Sequence, residues 1–393
     1  MKKLLLIALV LGLYSYSAMA QEKDKEVGFA FTTIKENPIT SVKNQNRTST
    51  CWSFSSMGFL ESELLRKGKG EYDLAEMFVV HHTMIDRAEL YVRLHGDHSF
   101  APGGVFNDAL YCLKNYGIVP QEAMPGIMYG EALPVHNELD AVAKAYVNVI
   151  AKGNLKKLTP VWKQGLSAIY DTYLGKYPEN FTYKGKEYTP LSFARSLGLN
   201  PDDYVSLTSF AHHPFYSEFA IEIPDNWRNG NSWNIPIDEI IAVMDNAIEK
   251  GFTVAWASDV SEQGYTRDGI AVAPDLVRSD LTGSDMIRWT GLSSEEKKRE
   301  LTSKPAPEQE ITQAIRQTAF DNWETTDDHG MLIYGIAKDQ TGKDYYMVKN
   351  SWGTETKYQG IWYASKAFVK YKTINILVHK DAIPKNIAKK INL

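Results

Sequence analysis

The sequence predicts an α+β protein of two lobes with a further segment inserted between them. Three observations lead there. The first half of the chain is dominated by apolar residues at helical spacing, and the last third by short alternating strands. Between them lies a stretch rich in Tyr, Pro, Asn and Trp that reads as irregular. The 393 residues suffice for a large core, and 12% aromatic content argues for packing over disorder. Net charge is −5 with the signs mixed, so no basic stripe points to nucleic acid.

In chain order, residues 1–20 read as an export leader. Lys2 and Lys3 precede an apolar run from Leu4 to Leu13, and Ala18-Met19-Ala20 has the small-x-small cleavage pattern. That run is too short for a membrane span, and no later stretch reaches ~20 apolar residues, so membrane insertion is not expected. The expected location is periplasmic or secreted. Residues 21–50 look extended. From Cys51 the pattern turns helical, with Phe54, Met57, Leu60 and Leu64 on one face and Gly68-Lys69-Gly70 at its end. Residues 72–95 read as a second helix. A glycine turn at Gly103-Gly104 opens a third, stopped by Gly117. Residues 136–177 read as long and helical, and 178–236 as irregular. IDEIIAVMDNAIEKG then leads into the strand FTVAWASD. After a charged segment at 278–308 and the helical ITQAIRQTAFDNW, GMLIYGIA and DYYMVKN flank a short loop as a β-hairpin. GIWYAS and TINILVH complete the strands. The expected division is therefore a leader at 1–20, a helical lobe at 21–135, an inserted helical subdomain at 136–235, a β-rich lobe at 236–379 and a tail at 380–393.

Cys51 begins its helix, where free N–H groups and the macrodipole favour a thiolate. Such a nucleophile needs a base, an orienting group for the base, and donors for the oxyanion. Of nine histidines, only His329 stands just before the hairpin, whose far strand ends in VKNSWG. Antiparallel pairing brings the distant ends of a hairpin together, so His329 and Asn350 become neighbours, with Trp352 close by. Gln45, six residues before Cys51, offers a side-chain amide, and the Cys51 N–H offers a second donor.

Three blocks in this order, Gln45 to Cys51-Trp52-Ser53-Phe54, Asp328-His329-Gly330 and Asn350-Ser351-Trp352-Gly353, resemble a papain-like cysteine peptidase. YGIVPQEAMP, YTPLSFARSLGLNPDDYVSL and VHKDAIPKNI resemble the bleomycin hydrolase and aminopeptidase C branch. The C-G-[SA]-C-[WY] signature is absent, and Cys51 and His329 stand farther apart than the ~130–150 residues typical of papain and the cathepsins. The resemblance implies a papain-like two-lobed fold with the cleft between the lobes. It implies Cys51 as nucleophile, His329 as its imidazolium partner, Asn350 orienting His329, and Gln45 in the oxyanion hole. Trp352 would shield the Asn350–His329 bond, and the backbone of Gly103 and Gly104 would hold extended peptide. Asp328 is assigned to substrate binding as a source of negative charge. The branch also implies aminopeptidase activity on peptide substrates, no metal or organic cofactor, a C-terminal arm in the cleft, and a homo-oligomer, hexameric in related enzymes.

Alternatives stand beside this reading. Cys51 and Cys112 form a disulfide in the blandest of them, although Cys112 lies among apolar neighbours and reads as a core thiol. An endopeptidase with the same site, another acyl transfer, and an inactive binding protein are the functional alternatives. His81-His82 and the His95/His98 pair match no zinc motif and read as helix-surface histidines. His212-His213 sits in a loop without an assigned role. Val105 and Phe106 would border a specificity pocket.

Overall fold

The computed structural model describes residues 28–278 and 280–393, so the leader reading of residues 1–20 lies outside the described residues. Helix α1 (Cys51–Arg66) is the central rod. Phe54, Met57, Leu60 and Leu64 are all buried, as their spacing predicts, but so are the residues between them, through Leu64. A helix buried on every side lies inside a core, not on its surface. Helices α2 (Glu76–Arg93) and α3 (Phe106–Asn115) pack against it. Gly117 ends α3 at φ 89°, where an added Cβ would lie 2.3 Å from the backbone of Pro190.

Residues 254–379 supply six strands of a ten-stranded sheet. Its centre is β7 (Val254–Ser258), β9 (His329–Asp339), β10 (Asp344–Lys349) and β12 (Thr373–His379). Strand β9 pairs antiparallel with both β7 and β10, with Ser258 opposite His329 and Lys349 opposite Leu332. The period of two sorts side chains to the two faces. Ala255, Ala257, Leu332 and Leu377 join the core around α1. Their neighbours Val254, Trp256, Met331, Ile333, Ile376 and Val378 join a second core around helix α7 (Ile237–Glu249). The small residues at 255 and 257 let α1 lie close to the sheet, and Gly330 lets the start of β9 come closest. A Cβ there would meet Ser55 Oγ at 2.7 Å and Cys51 O at 3.4 Å.

The middle of the chain differs from the expected inserted helical subdomain at 136–235. Residues 136–177 form two helices, α4 (Asn137–Lys152) and α5 (Val161–Leu174), interrupted around Gly153 and Pro160. The stretch read as irregular carries a small hairpin, Phe181–Tyr183 with Lys186–Tyr188, and helix α6 (Pro190–Leu197). Strands β4 (Tyr204–Thr208), β5 (Glu218–Ala220) and β6 (Asn231–Asn234) then extend the main sheet beyond β12. These strands are only three to five residues long, so periodicity does not reveal them. Tertiary pairing makes them: Leu377 sits opposite Ser206, and Ser206 Oγ meets Ser232 Oγ at 2.7 Å. The charged segment folds as α8 (Gly283–Gly291) and α9 (Ser294–Ser303), the latter opened by a Ser293–Glu296 capping box.

The tail does not line the cleft, where the resemblance implied an arm. Residues Lys385–Ala388 form a last short helix, α12 after α10 (Gln313–Asp321) and α11 (Lys366–Lys372). Ile387 and Ile391 are buried in the core around α7, and Lys390 Nζ pairs with Glu239 Oε1 at 2.5 Å. Burying two isoleucines at ~1.5–3 kcal/mol each offsets the entropy of ordering a short terminal segment.

Candidate active site

A cleft of about 460 Å³ opens between α1 and the head of β9, lined by Gln45, Cys51, Trp52, Gly103, Gly104, Asp328, His329 and Trp352 among others. The sequence-derived residues thus gather on one cavity, and Asn350 sits behind it. Cys51 is the first residue of α1. Ser53 N and Phe54 N bond to Thr50 O, leaving the Cys51 N–H without a backbone acceptor among the described residues. Both cysteines are free thiols, and Cys112 is buried in the helical core.

His329 Nε2 meets Asn350 Oδ1 at 2.7 Å. The orientation of that amide is determined. Ser351 N donates to the same Oδ1 at 2.7 Å, and Asn350 Nδ2 donates to Tyr265 OH at 3.0 Å. An oxygen therefore faces His329, so Nε2 carries the proton and Nδ1 is left as the ring's acceptor. Trp352 packs against His329, its ring centroid 4.6 Å from that of His329. Tyr265 is a support that sequence reading missed, because a tyrosine in a polar loop carries no periodic signal.

Gln45 is buried and held from several sides. The segment ending in Gln45 pairs with Ser351 to Gly353, through Gln45 N to Ser351 O at 2.8 Å and Gly353 N to Lys43 O at 3.1 Å. Lys43 is anchored by Glu76 at 2.6 Å and Glu61 at 3.3 Å. The Gln45 side chain accepts from Ser351 Oγ at 2.6 Å and donates from Nε2 to Thr48 O at 3.0 Å. Its second N–H remains for the cleft.

Gly103 and Gly104 are glycine for steric reasons. A Cβ on Gly104 would lie 2.9 Å from the Trp52 ring, and one on Gly103 would lie 1.9 Å from Asp225 Oδ2. The loop rides on Trp52, whose Nε1 donates to Pro102 O at 3.1 Å, and on buried Arg87, whose Nη1 donates to Gly103 O at 2.5 Å. Val105 and Phe106 line the cleft as expected. Asp328 lines it too, but its carboxylate is engaged elsewhere: it accepts from Val260 N at 2.8 Å and from the backbone and hydroxyl of Ser261. Asp225 and Asp327 also line the cleft, and the sequence reading passed over both.

Burial pushes the Cys51 thiol up to about 12, with Asp327 and Asp225 adding to the rise and the backbone N–H groups of Gly330 and Trp52 opposing it. Burial brings His329 down to about 4, while its bond to Asn350 favours the protonated ring. Both directions are those of each group taken alone, before the attraction between a thiolate and an imidazolium is added. The cause is desolvation, which penalises either charge until both form together.

The remaining histidines divide. His81, expected on a helix surface, is instead buried with Nε2 2.8 Å from Asp171 Oδ1. His82 stacks on Tyr116 with ring centroids 4.3 Å apart, and His95 is exposed beyond the end of α2. His212 and His213 place Nε2 atoms 3.1 and 2.7 Å from the Glu222 carboxylate. Gln317 Nε2 donates to His212 Nδ1, so the proton of His212 sits on Nε2 and points at Glu222.

Comparison with known proteins agrees with this architecture. The profile of the Peptidase C1-like family matches residues 91–282 and 310–393, and that of the Papain family cysteine proteases matches residues 29–142. Aminopeptidase G of Lactobacillus delbrueckii subsp. lactis is 23% identical, over 89% of this chain and 83% of its own length. Aminopeptidase C of Streptococcus thermophilus is 22% identical, over 94% and 86%. The crystal structure of PepW from Lactobacillus rhamnosis HN001 superposes with a TM-score of 0.68 at 19% identity, covering 92% of this chain and 84% of that one. The fold is papain-like α+β, and the chain belongs to the Peptidase C1-like family.

Proposed function

We propose that this chain is a cysteine aminopeptidase that releases N-terminal residues from peptides through Cys51, His329 and Asn350. The observation that carries the reading is the His329–Asn350 bond, which directs the free ring nitrogen away from Asn350 in the cavity that Cys51 also lines. The names of the aminopeptidase relatives support the substrate class.

In this mechanism the substrate carbonyl sits over Cys51. The sulfur bonds to the carbonyl carbon while the thiol proton passes to His329 Nδ1. Proton transfer makes both charges at once, so neither is buried alone. The oxyanion accepts from the Cys51 N–H and the spare N–H of Gln45, each worth about 3–4 kcal/mol in comparable sites. His329 returns the proton to the leaving amine as the C–N bond breaks. It then takes a proton from water, whose oxygen attacks the thioester, and gives that proton back to the departing sulfur. The bond to Asn350 Oδ1 stabilises the imidazolium in between.

A second reading, an endopeptidase with the same chemistry, is favoured by one observation: none of residues 376–393 lines the cleft, so the tail does not obstruct a chain running through it. Hydrolysis of a fluorogenic dipeptide series, free and N-acetylated, separates the two. Cleavage of free-amine substrates alone, blocked by iodoacetamide, supports the aminopeptidase. Equal cleavage of both supports the endopeptidase, and no cleavage with an unreactive Cys51 overturns both. Export through residues 1–20 is part of the proposal, and N-terminal sequencing of the protein recovered outside the cytoplasm tests it by looking for a start at Gln21.

A further inference from the structure

We propose that Asp225 and Asp327 are specificity-determining residues that receive a cationic nitrogen of the peptide substrate beside Cys51, its N-terminal ammonium or a lysine side chain. The proposal rests on reading the cleft as the peptide-cleaving site.

Three carboxyl groups line this cleft and a fourth, Asp259, shares the Ser261 N–H with Asp328; their hydrogen bonds separate them. Asp259 is occupied by Ser261 N at 2.8 Å and Thr326 N at 2.9 Å. Asp328 is occupied by Val260 and Ser261. Asp225 has one distant partner, Arg87 Nη2 at 3.6 Å from its Oδ1. Asp327 has no hydrogen bond or ion pair among the described residues. Two carboxyl groups on a cavity wall, one half-paired and one unpaired, offer a cation the counter-charge that neither finds in the protein. Burial and the nearby Asp225, Asp328 and Asp259 hold Asp327 up to about 8, a cost that an entering cation removes.

The scaffold is built around this arrangement. Gly103 lacks the Cβ that would fall 1.9 Å from Asp225 Oδ2, so the carboxylate comes down onto the substrate-bearing loop. Buried Arg87 clamps both sides of that contact, donating to Gly103 O at 2.5 Å and to Pro224 O at 3.2 Å. Arg228 pins the same loop through Asp86 at 2.5 Å and Asp108 at 2.8 Å. Arg87 spends its donors on backbone oxygens and Ser99, so it supports Asp225 without fully neutralising it. Asp225 and Asp327 line the same cavity as Cys51 and His329. With the tail folded onto α7, the carboxyl groups lining this cleft are those of Asp225, Asp327 and Asp328, and only the last is held by backbone N–H groups.

The test uses the full chain with Cys51→Ala, so that binding is read without turnover. Calorimetry measures alanyl-alanine amide, its N-acetyl form, and N-α-acetyl-lysyl-alanyl-alanine amide. A free-amine preference of roughly ten- to hundredfold over the acetylated dipeptide, erased by Asp225→Asn and by Asp327→Asn, establishes the subsite with the N-terminus as the source. The same Asp-dependent gain for the lysyl peptide alone establishes it with the side chain as the source. Equal binding of all three, or a preference that survives both substitutions, overturns the proposal. Should Asp225→Asn fail to fold, Asp327→Asn decides, because its carboxyl carries no hydrogen bond to lose. Turnover by the wild type is measured alongside. Preference without turnover removes the peptidase reading and keeps the subsite; turnover without preference does the reverse.

Discussion

Ser351 holds Gln45 by two hydrogen bonds across 306 residues of sequence: its carbonyl accepts the Gln45 N–H at 2.8 Å, and its hydroxyl donates to Gln45 Oε1 at 2.6 Å. Ser351 N also donates to Asn350 Oδ1. One residue thereby couples the proposed oxyanion donor to the group that orients His329. Gln45→Ala is expected to lower kcat by about 10²–10³, the cost of an oxyanion donor. Ser351→Ala keeps the backbone contact and loses only the hydroxyl, so a fall of roughly tenfold in kcat with KM little changed is expected. A larger loss in Ser351→Ala than in Gln45→Ala would contradict this ordering.

Asn350→Ala removes the acceptor that directs the His329 proton and stabilises the imidazolium. Turnover is expected to fall, but by less than with Cys51→Ala or His329→Ala, which remove the reacting groups. Single-turnover acylation rates check this. Equal loss in all three would give Asn350 a direct part in the chemistry.

The pH dependence follows from burial. His329 is lowered to about 4, so it stays an unprotonated base through the range where a free histidine, near 6.5, gains its proton. Cys51 is raised to about 12, so the pair keeps its one transferable proton well into the alkaline range. Inactivation by iodoacetamide is expected to hold its rate from about pH 9 down to about 5 and to fall only near 4. A midpoint at 6.5 would mean that burial does not control His329.

Gly104→Ala sets a Cβ 2.9–3.0 Å from the Trp52 ring, and the ring is fixed by its bond to Pro102. The loop must yield, at about 1–3 kcal/mol, a typical overpacking cost. A raised KM for peptides with a smaller change in kcat is expected from steady-state kinetics. An unchanged KM would remove this loop from the substrate path.

Ile387→Ala and Ile391→Ala each empty a buried position beside α7. A loss of about 2–4 kcal/mol is expected in denaturant unfolding. The ratio of free-amine to acetylated cleavage is expected to stay constant, because these residues are remote from the cleft lining. A shifted ratio would mean that the tail reaches the site in solution.

Periodicity alone determined α1, the β9–β10 hairpin and the antiparallel closure that brings His329 to Asn350, because those signals are local and the turn between the strands is short. The Gln45 to Cys51 spacing and the glycine pair were legible for the same reason: each reflects the nearby backbone. Tertiary structure decided what depends on partners distant in sequence. Strands β4 to β6 are too short to declare themselves, and they become strands by pairing in series, β4 on β12, β6 on β4 and β5 on β6. The tail carries three isoleucines, Ile383, Ile387 and Ile391, and its place was decided by the open face of α7. Asp328 stands beside His329 in sequence, yet backbone N–H groups at 260 and 261 occupy it. Asp225, paired only with Arg87, and Asp327, without a hydrogen bond among the described residues, are unmarked in the sequence, because partners are assigned by the fold and not by position along the chain.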